Sequence, residues 1–151
     1  MRFVGAIPSP SSGIFHIGPL AIHAYGLMIA LGVVASVWLT GRRLEKAGTG
    51  TSEQFNSVAV WAVVAGVVGA RIYYVFTDAS EPWRHPAKWI KIWEGGLGIP
   101  GGLLLGSLVA VRVAKRKGLS VPDMLTAAAP AIPLAQAIGR IGNWWNQELY
   151  G

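Results

Sequence analysis

Apolar positions gather into four long runs, at about residues 19–40, 56–77, 96–113 and 121–141, separated by short polar segments. A helix needs about 20 largely apolar residues to cross a bilayer. The pattern therefore predicts an all-α fold: one polytopic, integral-membrane helical bundle over residues 1–151 with about four transmembrane helices. Pro19 suits a first helical position. Pro130 and Pro133 predict a kink in the fourth run, because proline removes a backbone donor and clashes with the preceding turn. Small residues recur every four positions, as Ala62, Gly66 and Ala70 in the second run and Gly98, Gly102 and Gly106 in the third. That spacing lets helix backbones approach closely.

The polar segments set the orientation. Arg42, Arg43 and Lys46 follow the first run, and Arg112, Lys115, Arg116 and Lys117 end the third. The segment between runs two and three holds Arg84, Lys88 and Lys91, offset by Asp78, Glu81 and Glu94. Cytoplasmic loops carry the excess of Lys and Arg. Seven against three places the first and third loops inside, and the N-terminus, second loop and C-terminal residues outside. In the second loop Trp83, Trp89 and Trp93 interleave with the basic residues. This predicts a short interfacial helix at the outer headgroups, with an aromatic belt that only fixes depth as the alternative.

Composition agrees with a lipid solvent. Only 13% of the 151 residues are charged and 52% are hydrophobic, against about 25% charged in soluble domains. Mean hydropathy is +0.45. The net charge of +6 sits in short clusters between apolar runs, so it reads as a topology signal, and nucleic-acid binding is not expected. The Pro- and Ser-containing start predicts that the first run is an uncleaved anchor. There is no cysteine, which excludes disulfides, a thiolate nucleophile and Cys-metal sites. Any thiol chemistry must use a thiol of the substrate.

Polar groups beside apolar runs are expensive and need a reason. With the orientation above, His23 and Tyr25 lie in the outer third of the first span. Arg71 lies roughly 22 Å along the second at 1.5 Å per residue, again in the outer half. Arg140 and Asn143 end the fourth at the same depth. On a continued helix Arg140, Asn143 and Gln147 share a face, with Glu148 beside them. An arginine fork suits phosphate, so this face suits an anionic lipid headgroup. The bland alternatives are a snorkelling Arg71 or one paired with Asp78, a snorkelling Arg140, a His23 satisfied by backbone or water, and Tyr25 as an aromatic-belt residue. Trp144 and Trp145 suit anchoring of the helix end. A transporter half would use intramembrane arginines and broken helices too, but no internal repeat is visible. A structural anchor would tolerate replacement of Arg140 and Asn143.

The last thirteen residues, Gly139-Arg140-Ile141-Gly142-Asn143-Trp144-Trp145-Asn146-Gln147-Glu148-Leu149-Tyr150-Gly151, resemble the signature of the phosphatidylglycerol–prolipoprotein diacylglyceryl transferase family, Gly-Arg-x-Gly-Asn-(aromatic)-x-Asn-x-Glu-x-x-Gly. Further stretches match in order: His23 to Met28, Gly69 to Tyr74, and Trp93 to Leu97 ahead of Gly101-Gly102. The resemblance implies transfer of a diacylglyceryl group from phosphatidylglycerol to the lipobox cysteine thiol in the signal peptide of a prolipoprotein. Glycerol phosphate is released, in the first step of bacterial lipoprotein maturation. It implies a multi-pass protein of the bacterial plasma membrane, with its site on the outer face and no metal or cofactor. Arg140, Asn143 and Arg71 are then the candidates for binding phosphatidylglycerol, and Tyr25, His23, Glu148 and Gly151 for catalysis or support. A histidine that many relatives place before the paired glycines is Pro100 here, so the general base stays open between His23, Glu148 and unaided ionisation. Because family members continue past the signature through further spans, the resemblance also implies a chain incomplete at its C-terminus.

Overall fold

The computed structural model describes residues 13–17, 20–77, 89 and 96–146, without the side chains of 14–17, 20–22 and 146. Five helices carry the described fold: α1 (Ala24–Ala47), α2 (Ser52–Thr77), α3 (Ile99–Arg116), α4 (Val121–Ala128) and α5 (Ala131–Asn146). Ahead of them β1 (Ile14–Ile17) and β2 (Leu20–His23) pair antiparallel, with Ile14 opposite His23 and Ile17 opposite Leu20.

The helical class expected from the runs holds, with three differences. The first helix starts at Ala24, not at Pro19, because residues 20–23 exchange ladder bonds with β1. The fourth run is not one kinked helix: Ala129 and Pro130 form a turn and divide it into α4 and α5. Proline has no N–H for the helical ladder, and the residue before it avoids helical geometry. The third run gives an 18-residue helix with Arg112, Lys115 and Arg116 on its last turns. Among the described residues two helices, α1 and α2, are long and apolar enough to cross a membrane. Only 22% and 28% of their most apolar windows are buried, so these helices show most of their apolar surface outward. Val34, Trp38, Val60, Trp61 and Phe76 are among the large side chains exposed on them. Water tolerates such contiguous apolar surface poorly, and lipid accepts it. The interfacial helix expected around Trp83 to Trp93 lies outside the described residues, save Trp89.

The chain forms two compact units, one from residues 1–40 and 126–151 and one from 41–125. In the second, α2 and α3 run antiparallel along a seam of small residues. A Cβ on Gly69 would collide with the Gly101 carbonyl, and one on Gly101 with the Gly69 carbonyl. Gly102 stands over the Gly66 carbonyl, and Gly106 over that of Ala62. This is the close approach that the four-residue spacing predicts.

Polar groups at the opposite end of this unit are satisfied locally. Thr51 and Gln54 form a reciprocal capping box at the start of α2: Gln54 N–H donates to Thr51 Oγ1 at 3.1 Å, and Thr51 N–H to Gln54 Oε1 at 2.8 Å. The Gln54 amide also donates to the Lys117 carbonyl at 2.9 Å, and Ser52 N–H donates to Glu45 Oε1 at 3.0 Å. Leu44, Ala114 and Leu119 are buried around these bonds. Both α1 and α3 end in a glycine-terminated cap. Thr49 N–H reaches the Leu44 carbonyl at 3.1 Å and Leu119 N–H the Ala114 carbonyl at 2.9 Å.

Candidate functional site

In the first unit the hairpin and α5 meet the start of α1. Ala24 N–H donates to the Gly13 carbonyl at 2.7 Å, and Ala24 is buried. This fixes where α1 begins, and Tyr25 follows in its first turn. Gly142 of α5 backs directly onto that turn: a Cβ there would lie 2.9 Å from Tyr25 Cδ2 and 3.1 Å from Met28 Cβ. Two helical turns further along, Gly32 faces the Ala135 carbonyl, where a Cβ would lie at 2.9 Å. The two glycines let α5 lie close against α1 and bring its polar edge beside Tyr25.

That edge borders an open cleft of about 390 Å³ lined by Tyr25, Gln136, Gly139, Arg140 and Asn143. Positions 136, 140 and 143 recur at three and four residues, so their side chains share one face of α5. Arg140 is exposed and Asn143 half-buried. Gly139 has nothing within 4 Å of where its Cβ would stand, which leaves the space between the polar groups open. The lining presents a guanidinium, two carboxamides and a phenol. All can donate hydrogen bonds, and the guanidinium adds a fixed positive charge. Such a set has the donors and the charge to hold the oxygens of an anion such as a phosphodiester. Trp144 and Trp145 follow at the helix end, ring centroids 5.0 Å apart and inclined 68°.

Tyr25, Arg140 and Asn143, expected at one depth, come together at one cleft. Gln136 joins them unexpectedly, although a glutamine one turn before Arg140 in an apolar run is a readable signal. His23 closes β2, is exposed, and is not among the residues lining the cleft. Gln147, Glu148 and Gly151 lie outside the described residues.

Arg71 belongs to the second unit. Its Nη1 donates to the Gly96 carbonyl at 2.7 Å and its Nε to the Trp89 carbonyl at 3.1 Å. The guanidinium carbon stands 5.1 Å from the centre of the Tyr74 ring, within cation–π range. Gly96 adopts φ +79°, and a Cβ on it would lie 2.5 Å from Tyr74 and 2.9 Å from Arg71 Nη1. Only glycine fits that backbone and that space. Beyond it Gly98 N–H donates to the Ala70 carbonyl at 2.9 Å, and α3 begins. Arg71 thus ties the return of the chain to α2. It also edges an apolar groove of about 350 Å³ with Val67, Val68, Ile72, Val75, Phe76 and Trp89.

Residues 12–151 match the family model described as prolipoprotein diacylglyceryl transferase. The chain is 50% identical over 149 residues to the phosphatidylglycerol–prolipoprotein diacylglyceryl transferase of Frankia alni, covering 97% of this chain and 39% of that protein. It is 46% identical to transferase 1 of Streptomyces coelicolor, covering 96% and 43%. To the Cutibacterium acnes protein of the same name it is 45% identical, covering 97% and 50%. The chain therefore spans half or less of the length of these curated relatives.

Proposed function

The chain belongs to the prolipoprotein diacylglyceryl transferase family, and from that premise we propose that it supplies the headgroup-binding part of a phosphatidylglycerol–prolipoprotein diacylglyceryl transferase. In this reading the protein is a multi-pass enzyme of the bacterial plasma membrane with about four spans in this chain. An interfacial helix lies in the second loop, and the site opens at the outer face. Its substrates are phosphatidylglycerol and the signal peptide of a prolipoprotein bearing a lipobox cysteine. The observation that carries the reading is the cleft in which Arg140 and Asn143 of the signature stand with Tyr25.

The reaction is the one that the family name implies. The substrate cysteine loses its proton, because the thiolate is the nucleophile. Its sulfur attacks the glycerol carbon that bears the phosphate ester. The S–C bond forms as the C–O bond breaks, and the electron pair departs on the phosphate oxygen of glycerol phosphate. This displacement balances without a redox partner. Charge grows on the leaving phosphate, where a preorganised cation stabilises it most. Arg140 holds that position and grips two phosphate oxygens. Asn143 donates from the next turn, and the Tyr25 hydroxyl orients the headgroup. Glu148 and Gly151, which the signature supplies, are the candidates for a supporting role. The proton goes to His23, to Glu148 or, where the thiol ionises unaided, to water. Arg71 is the third candidate for the headgroup, as expected from its depth, and it also acts as a positioning residue through the turn it ties.

The test replaces the matched segment of the Frankia alni relative with this chain and follows conversion of a prolipoprotein by gel shift. Conversion is expected, and Arg140→Ala should abolish it while membrane insertion persists. Full conversion by that variant would overturn the assignment.

A further inference from the structure

Outside the cleft, three cations stand together on α3. Arg112, Lys115 and Arg116 line an open groove of about 400 Å³ with Leu108 and Val111. Positions 104, 108, 112 and 115 follow the helical period, so one face of α3 runs from apolar to basic. Leu104 and Leu108 on that face are 66% and 59% exposed, and all three cations are exposed. The helix does not need these cations to cap its end. Lys117 N–H serves the Val113 and Ala114 carbonyls, Gly118 N–H that of Lys115, and Leu119 N–H that of Ala114. An apolar stripe ending in three cations is complementary to an amphiphile with an acyl chain and an anionic head.

We propose that this groove docks one anionic phospholipid of the inner leaflet, with its phosphate on Arg112, Lys115 and Arg116 and a chain along Leu104, Leu108 and Val111. The leaflet follows from the membrane orientation in the functional reading above; the docking itself does not depend on transfer activity. Each basic residue held near an anionic headgroup strengthens binding about fivefold, so removing three weakens it about a hundredfold.

The full chain is reconstituted in phosphatidylcholine nanodiscs carrying a small fraction of phosphatidylserine, which is not the proposed substrate. Retained lipid is then counted by native mass spectrometry. The expected result is one retained phosphatidylserine, lost in the Arg112→Gln/Lys115→Gln/Arg116→Gln variant. It should be kept when Arg112 and Arg116 become Lys, which preserves charge and controls for folding. Arg140→Gln should not change retention, since it alters the cleft and not the groove. Three results overturn the proposal. One is equal loss on neutralising Arg42, Arg43 and Lys46, which would show surface potential only. Another is loss with Arg140→Gln, which would put the lipid in the cleft. The third is displacement by millimolar inorganic phosphate, which would make this a site for free anions. Because retention is read without any transfer step, failure here leaves the gel-shift result of the functional reading unaffected.

Discussion

Arg71→Met removes the guanidinium and keeps most of the side-chain length, so it isolates the tie between α2 and the Gly96 turn. Among the described residues, two hydrogen bonds from a charged donor are lost, at 2.7 and 3.1 Å. Each is worth about 1.5–3 kcal/mol where water is excluded. The bond to Trp89 is exposed and belongs below that range. The contact with Tyr74 adds about 0.5–1 kcal/mol. Because these contacts share one group they do not add fully, and a net local loss of about 2–4 kcal/mol follows. Gly98 N–H, bonded to the Ala70 carbonyl, reports on it. Local opening should expose that amide roughly 30- to 700-fold more often. Hydrogen–deuterium exchange of a peptide covering residues 96–98 measures this, with a peptide from the middle of α3 as internal reference. Arg71→Lys should recover only part of the protection, since one ammonium cannot reproduce the planar fork on two carbonyls. If exchange at Gly98 stays within about threefold of wild type while the reference is unchanged, Arg71 does not hold the turn and its positioning role is wrong.

Other outcomes follow from the same contacts. Gly69→Ala should lower thermal stability in detergent by about 1–3 kcal/mol or prevent folding, because its Cβ meets a backbone carbonyl. Gly66→Ala, whose Cβ would stand 3.5 Å from the Gly102 carbonyl, should be near neutral; equal effects would contradict the described seam. Gly142→Ala should displace Tyr25 and reduce prolipoprotein conversion in the gel-shift assay, with unchanged conversion refuting the link between that glycine and the cleft. Gln54→Leu removes half of a capping box and the bond to Lys117, and should cost about 1–2 kcal/mol in a chemical melt.

Much of this was legible in the chain, for identifiable reasons. Helix period and span length are local properties, so α1, α2 and the Gly/Ala seam could be read directly. The shared face of Arg140 and Asn143 followed from a three-residue spacing within one helix. The hairpin at 14–23 was not legible, because its residues are as apolar as the helix they precede and pairing depends on a partner strand. The two prolines announced a disturbance, but not that Pro130 would end one helix and leave α5 to begin afresh. Beyond that seam, individual contacts across elements escaped. Nothing near Arg71 in sequence signals the Gly96 carbonyl 25 residues away, and nothing in the signature says that Gly142 is small because Tyr25 lies behind it.

The Gly69–Gly101 crossing has a consequence for how this protein can change over time. Side chains at an ordinary helix contact can be exchanged for others of similar bulk, with neighbours adjusting in compensation. Here main chain rests on main chain, and there is no volume left to trade. Drift should therefore be confined to the outward flanks of α2 and α3. The pair itself should persist as a fixed spacer, its width set by the peptide backbone.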